Sequence, residues 1–167
     1  MSSKHLSLQV VEEETVQTPE LKYEAQLLST KELIDKYWGQ CVPLLDECIK
    51  RAMHGEMLVE DLYTRAMKGE VFTIVAKNDE TEVPTVKLAI VLELVTYPRF
   101  TAMNVVALGG KDLKNLIQQH WKDVCSWAKI CGVKQIECSV HPAMERILTP
   151  QGFEKKYVQL RQDLTEV

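Results

Sequence analysis

The chain has 167 residues, 46% of them apolar, and a formal net charge of −4. That is enough for one domain with a real core. It leaves no electrostatic case for nucleic acid or an anionic membrane, because the lysines and arginines are scattered among the acids. The longest apolar run, LAIVLELV at 88–95, is broken by Glu93 and too short to cross a bilayer, and the N-terminus lacks the apolar core of a signal peptide. A soluble, cytoplasmic protein is expected. The five cysteines, Cys41, Cys48, Cys125, Cys131 and Cys138, have no CxxC spacing. That pattern points to reduced packing residues rather than disulfides or a metal site.

Residues 1–22 are polar and acidic apart from the alternating Leu6, Leu8 and Val10, a lead that is either flexible or an added edge strand. The domain proper is read as 23–167. It opens with a short strand, YEAQLL (23–28), and then Ser29-Thr30-Lys31-Glu32 matches a capping box with Ser29 as the cap. A helix follows, its apolar positions Leu33, Ile34, Tyr37, Trp38 and Cys41 continuing past a break or kink at Pro43 into Leu44, Leu45, Cys48 and Ile49. A second helix, about 58–68, carries Leu58, Leu62, Tyr63 and Ala66 on one side and stops at Gly69.

Three strands come next. VFTIVAK (71–77) is β-branched and aromatic, and TVKLAIVLELV (85–95) is apolar on both faces in its middle. The polar NDETEVP between them predicts an antiparallel pair, and Tyr97-Pro98-Arg99 turns the chain into FTAMNVVAL (100–108) as the third strand of a meander. After a tight Gly109-Gly110 turn, Leu113, Leu116, Ile117, Trp121, Val124, Trp127, Ala128 and Cys131 recur at helical spacing. That face needs a sheet to lie on, with Trp121 and Trp127 on it or at its rim. The strand VKQIECSV (133–140) then follows a connection long enough for a right-handed crossover, so it and FTAMNVVAL are expected to be parallel neighbours. A short helical segment (143–148) leads through Pro150-Gln151-Gly152 to a closing strand, 153–164, with Phe153, Tyr157 and Leu160 as candidates for burial.

Chemistry, if present, belongs near the end of FTAMNVVAL. A strand that ends in glycines and opens a helix aims backbone N–H groups outward, a common seat for a phosphate or another anion. Glu93 is the one carboxylate in a strongly apolar strand, and burial would raise its pKa toward that of a useful base. The alternative reading places it on the solvent side of the strand end. His141, just past a strand end, titrates near neutral pH and suits acid or base work, although a loop histidine beside Pro142 also suits a surface turn.

The order of strand, two helices, antiparallel meander, helix and parallel strand resembles the GNAT superfamily of acyl-CoA-dependent N-acetyltransferases. Its most specific piece is VKQIECSVHPAMERILTPQGFEKKY, with Gly152-Phe153 in the place of the family's frequent Gly-Phe pair. The resemblance implies an α+β fold with a mixed sheet and N-terminal helices. It also implies a notch between FTAMNVVAL and VKQIECSV for acetyl-CoA, with the pyrophosphate on Leu108, Gly109, Gly110, Lys111 and Asp112. An acceptor amine, small molecule or protein, would be deprotonated by Glu93 or His141, and no metal is implied. The chain also departs from the family. Where the family's loop has Gln or Arg, then Gly, then Gly or Ala, this chain has Leu108, Lys111 and Leu113, and Leu148 stands where a tyrosine protonates the leaving thiolate. Leucine has no proton to give. These departures favour a non-catalytic binding or structural module with a protein partner, similar to small GNAT-like proteins of tailed-bacteriophage virions. A working N-acetyltransferase is the alternative.

Overall fold

The computed structural model describes residues 22–165, so the expectation for the N-terminal lead lies outside the described residues except at Lys22. The elements run β1 (Glu24–Leu27), α1 (Lys31–Ala52), α2 (Val59–Met67), β2 (Phe72–Asn78), β3 (Thr85–Thr96), β4 (Thr101–Gly110), α3 (Leu113–Ile130), β5 (Gln135–Cys138) and α4 (Glu145–Leu148). Short 3-10 turns flank α4 on both sides. The five strands form one sheet in sequence order, antiparallel throughout except for the parallel β4–β5 pair. This is the mixed sheet that the sequence predicts.

Helices cover both faces. Period 2 along the strands sends alternate side chains to opposite sides, so Val75, Val86, Ala89 and Val91 pack with Tyr37, Cys41, Leu45 and Leu62 of α1 and α2. Ile74, Leu88, Ile90, Leu92 and Met103 pack with Ile117, Trp121, Val124 and Ala128 of α3, and with Leu148 of α4. That double burial is why the middle of β3 is apolar on every residue.

Four expectations are corrected. The cap of α1 is Thr30, not Ser29, and its hydroxyl accepts from the Leu33 N–H at 3.2 Å. Pro43 lies inside one continuous α1; it forgoes one backbone hydrogen bond, and burial of Cys41, Leu44 and Leu45 on the sheet carries the helix across that gap. Gly109 and Gly110 are not a turn but the last residues of β4, opposite Ala89 and Leu88, and the chain reverses instead at Asp112, with φ 55° and ψ 48°. The closing strand is absent: residues 153–164 form no ladder among the described residues. Tyr157 is 92% exposed and Leu160 88%, while Phe153 alone packs, its ring centroid 5.3 Å from that of Trp121. The segment's apolar residues, Phe153, Tyr157, Val158, Leu160 and Leu164, do not alternate, and a strand also needs a neighbour to pair with.

Candidate functional site

The β4–β5 ladder ends at Val105↔Cys138, whereas β4 runs on beside β3 to Gly110. The cause is local. Val91 pairs with Ala107 and Leu92 with Val105, so Val106 is an extra residue on β4, a β-bulge placed where β4 leaves β5. A bulge bends its strand and raises its twist. Above Cys138 the two strands therefore diverge into a notch, with Ser139–His141 along one side and the end of β4 along the other. Cys138 sits at its floor, with its thiol pKa raised chiefly by burial.

The chain then runs along the notch's upper lip. Lys111 donates its N–H to the carbonyl of Lys87 at 3.0 Å. Alternate residues of an antiparallel strand point their amides to the same side, so the Gly109 amide faces β3 as well, and that of Gly110 faces away. Both glycines are explained by protein neighbours. A Cβ on Gly109 would overlap the Leu44 carbonyl oxygen and come within 2.7 Å of its carbon, and one on Gly110 would come within 2.7 Å of the Lys87 carbonyl oxygen. Leu108 is buried on the α3 side of the sheet. No side chain caps the first turn of α3, yet the Asp112 carboxylate accepts two bonds from Asn115 Nδ2, at 3.0 and 2.9 Å. A fixed negative charge thus occupies the positive end of the α3 dipole.

Below the notch floor lies a polar rung that crosses three strands. Glu93 pairs in register with Asn104, and Asn104 with Glu137. Glu93 Oε2 receives Arg65 Nη2 from α2 at 2.7 Å, and its Oε1 receives Asn104 Nδ2 at 3.0 Å. Burial pushes the Glu93 pKa up, but the hydrogen bonds and charge of Arg65 together with the Asn104 bond outweigh it, and the net shift is downward. The carboxylate is held ionised, which opposes the near-neutral pKa that suits a general base. At the other end of the rung, Tyr97 donates its hydroxyl to Glu137 Oε1 at 2.7 Å. That donation raises the phenol's pKa, with smaller contributions from desolvation and from the nearby Tyr157.

His141 is exposed and caps the 3-10 turn before α4, its Nδ1 accepting from the Ala143 N–H at 3.2 Å. Leu148, in the thiolate-donor place, is 4% exposed in the α3-side core. Glu93 lies on the α1–α2 side one rung below the notch floor, and His141 lies beyond the end of β5; no bond joins them. Arg65, Asn104 and Glu137 escaped the sequence reading, which places Tyr97 in a turn. The signal was one polar residue in the middle of each of three apolar strands, which registers as a row only once the pairing is known. Among the described residues no group of three or more His, Cys, Asp or Glu side chains is placed to hold a metal. No helix among them is long and apolar enough to cross a membrane.

The sheet, the notch and the helix that follows β4 are those of the GNAT acetyltransferase fold. No protein-family model and no curated protein sequence matches this chain. Solved structures do. A GCN5-related N-acetyltransferase from Ralstonia eutropha JMP134 superposes with a TM-score of 0.64 at 11% identity, covering 84% of this chain and 98% of its own. An acetyltransferase from Trypanosoma brucei gives 0.62 at 11% identity, covering 86% and 100%. A predicted acetyltransferase from Clostridium acetobutylicum, solved with acetyl-CoA, gives 0.58 at 9% identity, covering 87% and 98%. At such identities the likeness concerns the fold.

Proposed function

We propose that this chain is a GNAT-fold binding module that does not turn over an acyl-CoA. The observation that carries the reading is the Asp112–Asn115 clasp at the N-terminus of α3. In a GNAT enzyme that helix end and the loop before it receive the cofactor's pyrophosphate. Here the Lys111 amide is spent on Lys87 and both glycines serve close approach to protein backbone. A carboxylate stands where an anion would bind, so the residues present do not fit the pyrophosphate. Two further observations agree. The thiolate-donor place holds a buried leucine, and Glu93 is committed to Arg65 and Asn104. The ligand is then a protein partner rather than a cofactor, taken up on the frame that the fold supplies.

Two observations favour the second reading, an acyl-CoA-dependent N-acetyltransferase acting on a small-molecule or protein amine. The bulge at Val106 opens the β4–β5 notch in which such a cofactor would lie, and Gly110 turns its amide away from β3. Under that reading Leu108, Gly109, Gly110, Lys111 and Asp112 contact the cofactor, and Glu93 or His141 is the base. Thermal denaturation with acetyl-CoA separates the two. A ligand at a hundred times its Kd stabilises by about 2.7 kcal/mol, or roughly 5–10 °C for a chain of this size. The module reading expects no shift at millimolar acetyl-CoA; a shift of that size restores the enzyme.

A further inference from the structure

Gly39 stands inside the 22-residue α1, exposed, and a Cβ built on it would meet nothing within 4 Å. Glycine is among the least favourable residues for a helix interior, and what it offers in return is close approach of another backbone. None of the described residues makes that approach.

Beside Gly39 runs an apolar crevice. Trp38 and Val42 of α1 face Val59 and Tyr63 of α2 around a space of about 350 Å³. The Trp38 and Tyr63 rings lie 5.6 Å apart, and the Tyr63 hydroxyl donates to Asp35 at 2.6 Å, which fixes that ring as a wall. Residues three apart are neighbours on a helix surface, so Lys36, Gly39 and Val42 form a row that leads over the outer face of α1 into the crevice. The described chain begins near the far end of that row. The Lys22 carbonyl accepts from Asn78 Nδ2 at 2.6 Å, and the next residue, Asp79, accepts at 2.9 Å from the hydroxyl of Tyr37, beside Lys36.

We propose that residues 6–11 of this chain fill the α1–α2 crevice, with the acidic stretch 12–20 crossing α1 at Gly39.

The segment's chemistry matches the path. Leu6, Leu8, Val10 and Val11 supply aliphatic side chains for an apolar crevice. Glu12, Glu13 and Glu14 then fall beside the exposed Lys36, and Lys4, ahead of the apolar run, falls beside Glu60 at the crevice rim. Reach is ample: the 11 residues from Val11 to Lys22 span up to about 36 Å, against a helix about 10–12 Å wide. A segment tethered this close is present at an effective concentration on the order of millimolar, so modest contacts favour it over a separate partner. The proposal does not depend on whether the notch binds a cofactor.

Hydrogen–deuterium exchange of the full chain, read by mass spectrometry, tests it. The amides of residues 6–11 should exchange at least roughly tenfold more slowly than in a free peptide of that sequence, at about 1 μM protein as at about 20 μM. Leu8→Asp with Val10→Asp should bring them to the free-peptide rate and speed exchange across 38–42 and 59–64, with β3 unchanged. Gly39→Gln, which puts a side chain in the path, should do the same. On an open helix face that substitution would instead raise the Tm by roughly 2 °C. Free-peptide exchange of residues 6–11 in the unaltered protein would overturn the proposal. So would protection lost on dilution, which assigns the crevice to a second copy, or a raised Tm in Gly39→Gln with residues 6–11 still protected.

Discussion

Gly109→Ala asks why two glycines end β4. The added methyl would overlap the Leu44 carbonyl oxygen, lie 2.7 Å from its carbon and 3.3 Å from the Leu45 nitrogen. Carbon atoms rest at about 3.5–4.0 Å, so α1 and β4 must part by about 1 Å. The obstacle is helix backbone, which cannot rotate aside as a side chain can, and both elements are packed on the α1–α2 side of the core. Overpacking typically costs about 1–3 kcal/mol, and the rigidity of this contact puts the expected loss near the top of that range, about 3 kcal/mol. Urea denaturation followed by tryptophan fluorescence reads it directly, and the melting temperature should fall by roughly 6–12 °C. A loss below about 1 kcal/mol would refute the packing account. Gly109 would then be free to serve a ligand.

Leu148→Ala should cost about 2–5 kcal/mol, because the side chain is buried in the core; chemical denaturation checks it. Trp127 is half-buried and meets Phe72 edge-on at 5.4 Å between centroids, so Trp127→Ala should cost about 2 kcal/mol by the same assay. The folded-state pKa of Glu93 lies below its ordinary 4.5. Its contribution to stability is therefore present above about pH 4.5 and lost as pH falls through the lower folded value. Glu93→Gln should cost about 1 kcal/mol at pH 7 and flatten the acid limb of a stability–pH curve, an effect that an exposed carboxylate would not produce. Burial pushes the Cys41 thiol up to about 12, while Cys131 is exposed. Thiol labelling of the folded protein at pH 8, read by mass spectrometry, should mark Cys131 and spare Cys41.

Much of the fold was legible because most elements announce themselves by period: 3.6 along α1 and α3, and apolar strands bounded by polar turns. Most boundaries fell within one or two residues. What was not legible arises from contacts distant in sequence. Gly109 and Gly110 read as a turn because glycine often marks one, but the demand for them comes from Leu44 and Lys87. The bulge at Val106 leaves no mark in the run NVVAL, where the residues on either side of it are equally apolar. The closing segment reads as a strand from its place after Gly152-Phe153, but that place cannot state whether a neighbour exists. For the site, only Lys111 and Asp112 connect β4 to α3; Leu108, Gly109 and Gly110 lie within β4. The Glu93 rung was invisible, because Arg65, Asn104 and Glu137 come together only through pairing and helix packing.

On the proposed reading, the Asp112 carboxylate closes the N-terminus of α3 to a pyrophosphate. Isothermal titration calorimetry of the full chain with acetyl-CoA, and separately with CoA, tests it most directly. The account predicts no saturable heat up to about 1 mM of either, equivalent to less than about 4 kcal/mol of binding free energy. A micromolar dissociation constant for either ligand, lost on placing a bulky residue at Gly110, would contradict it.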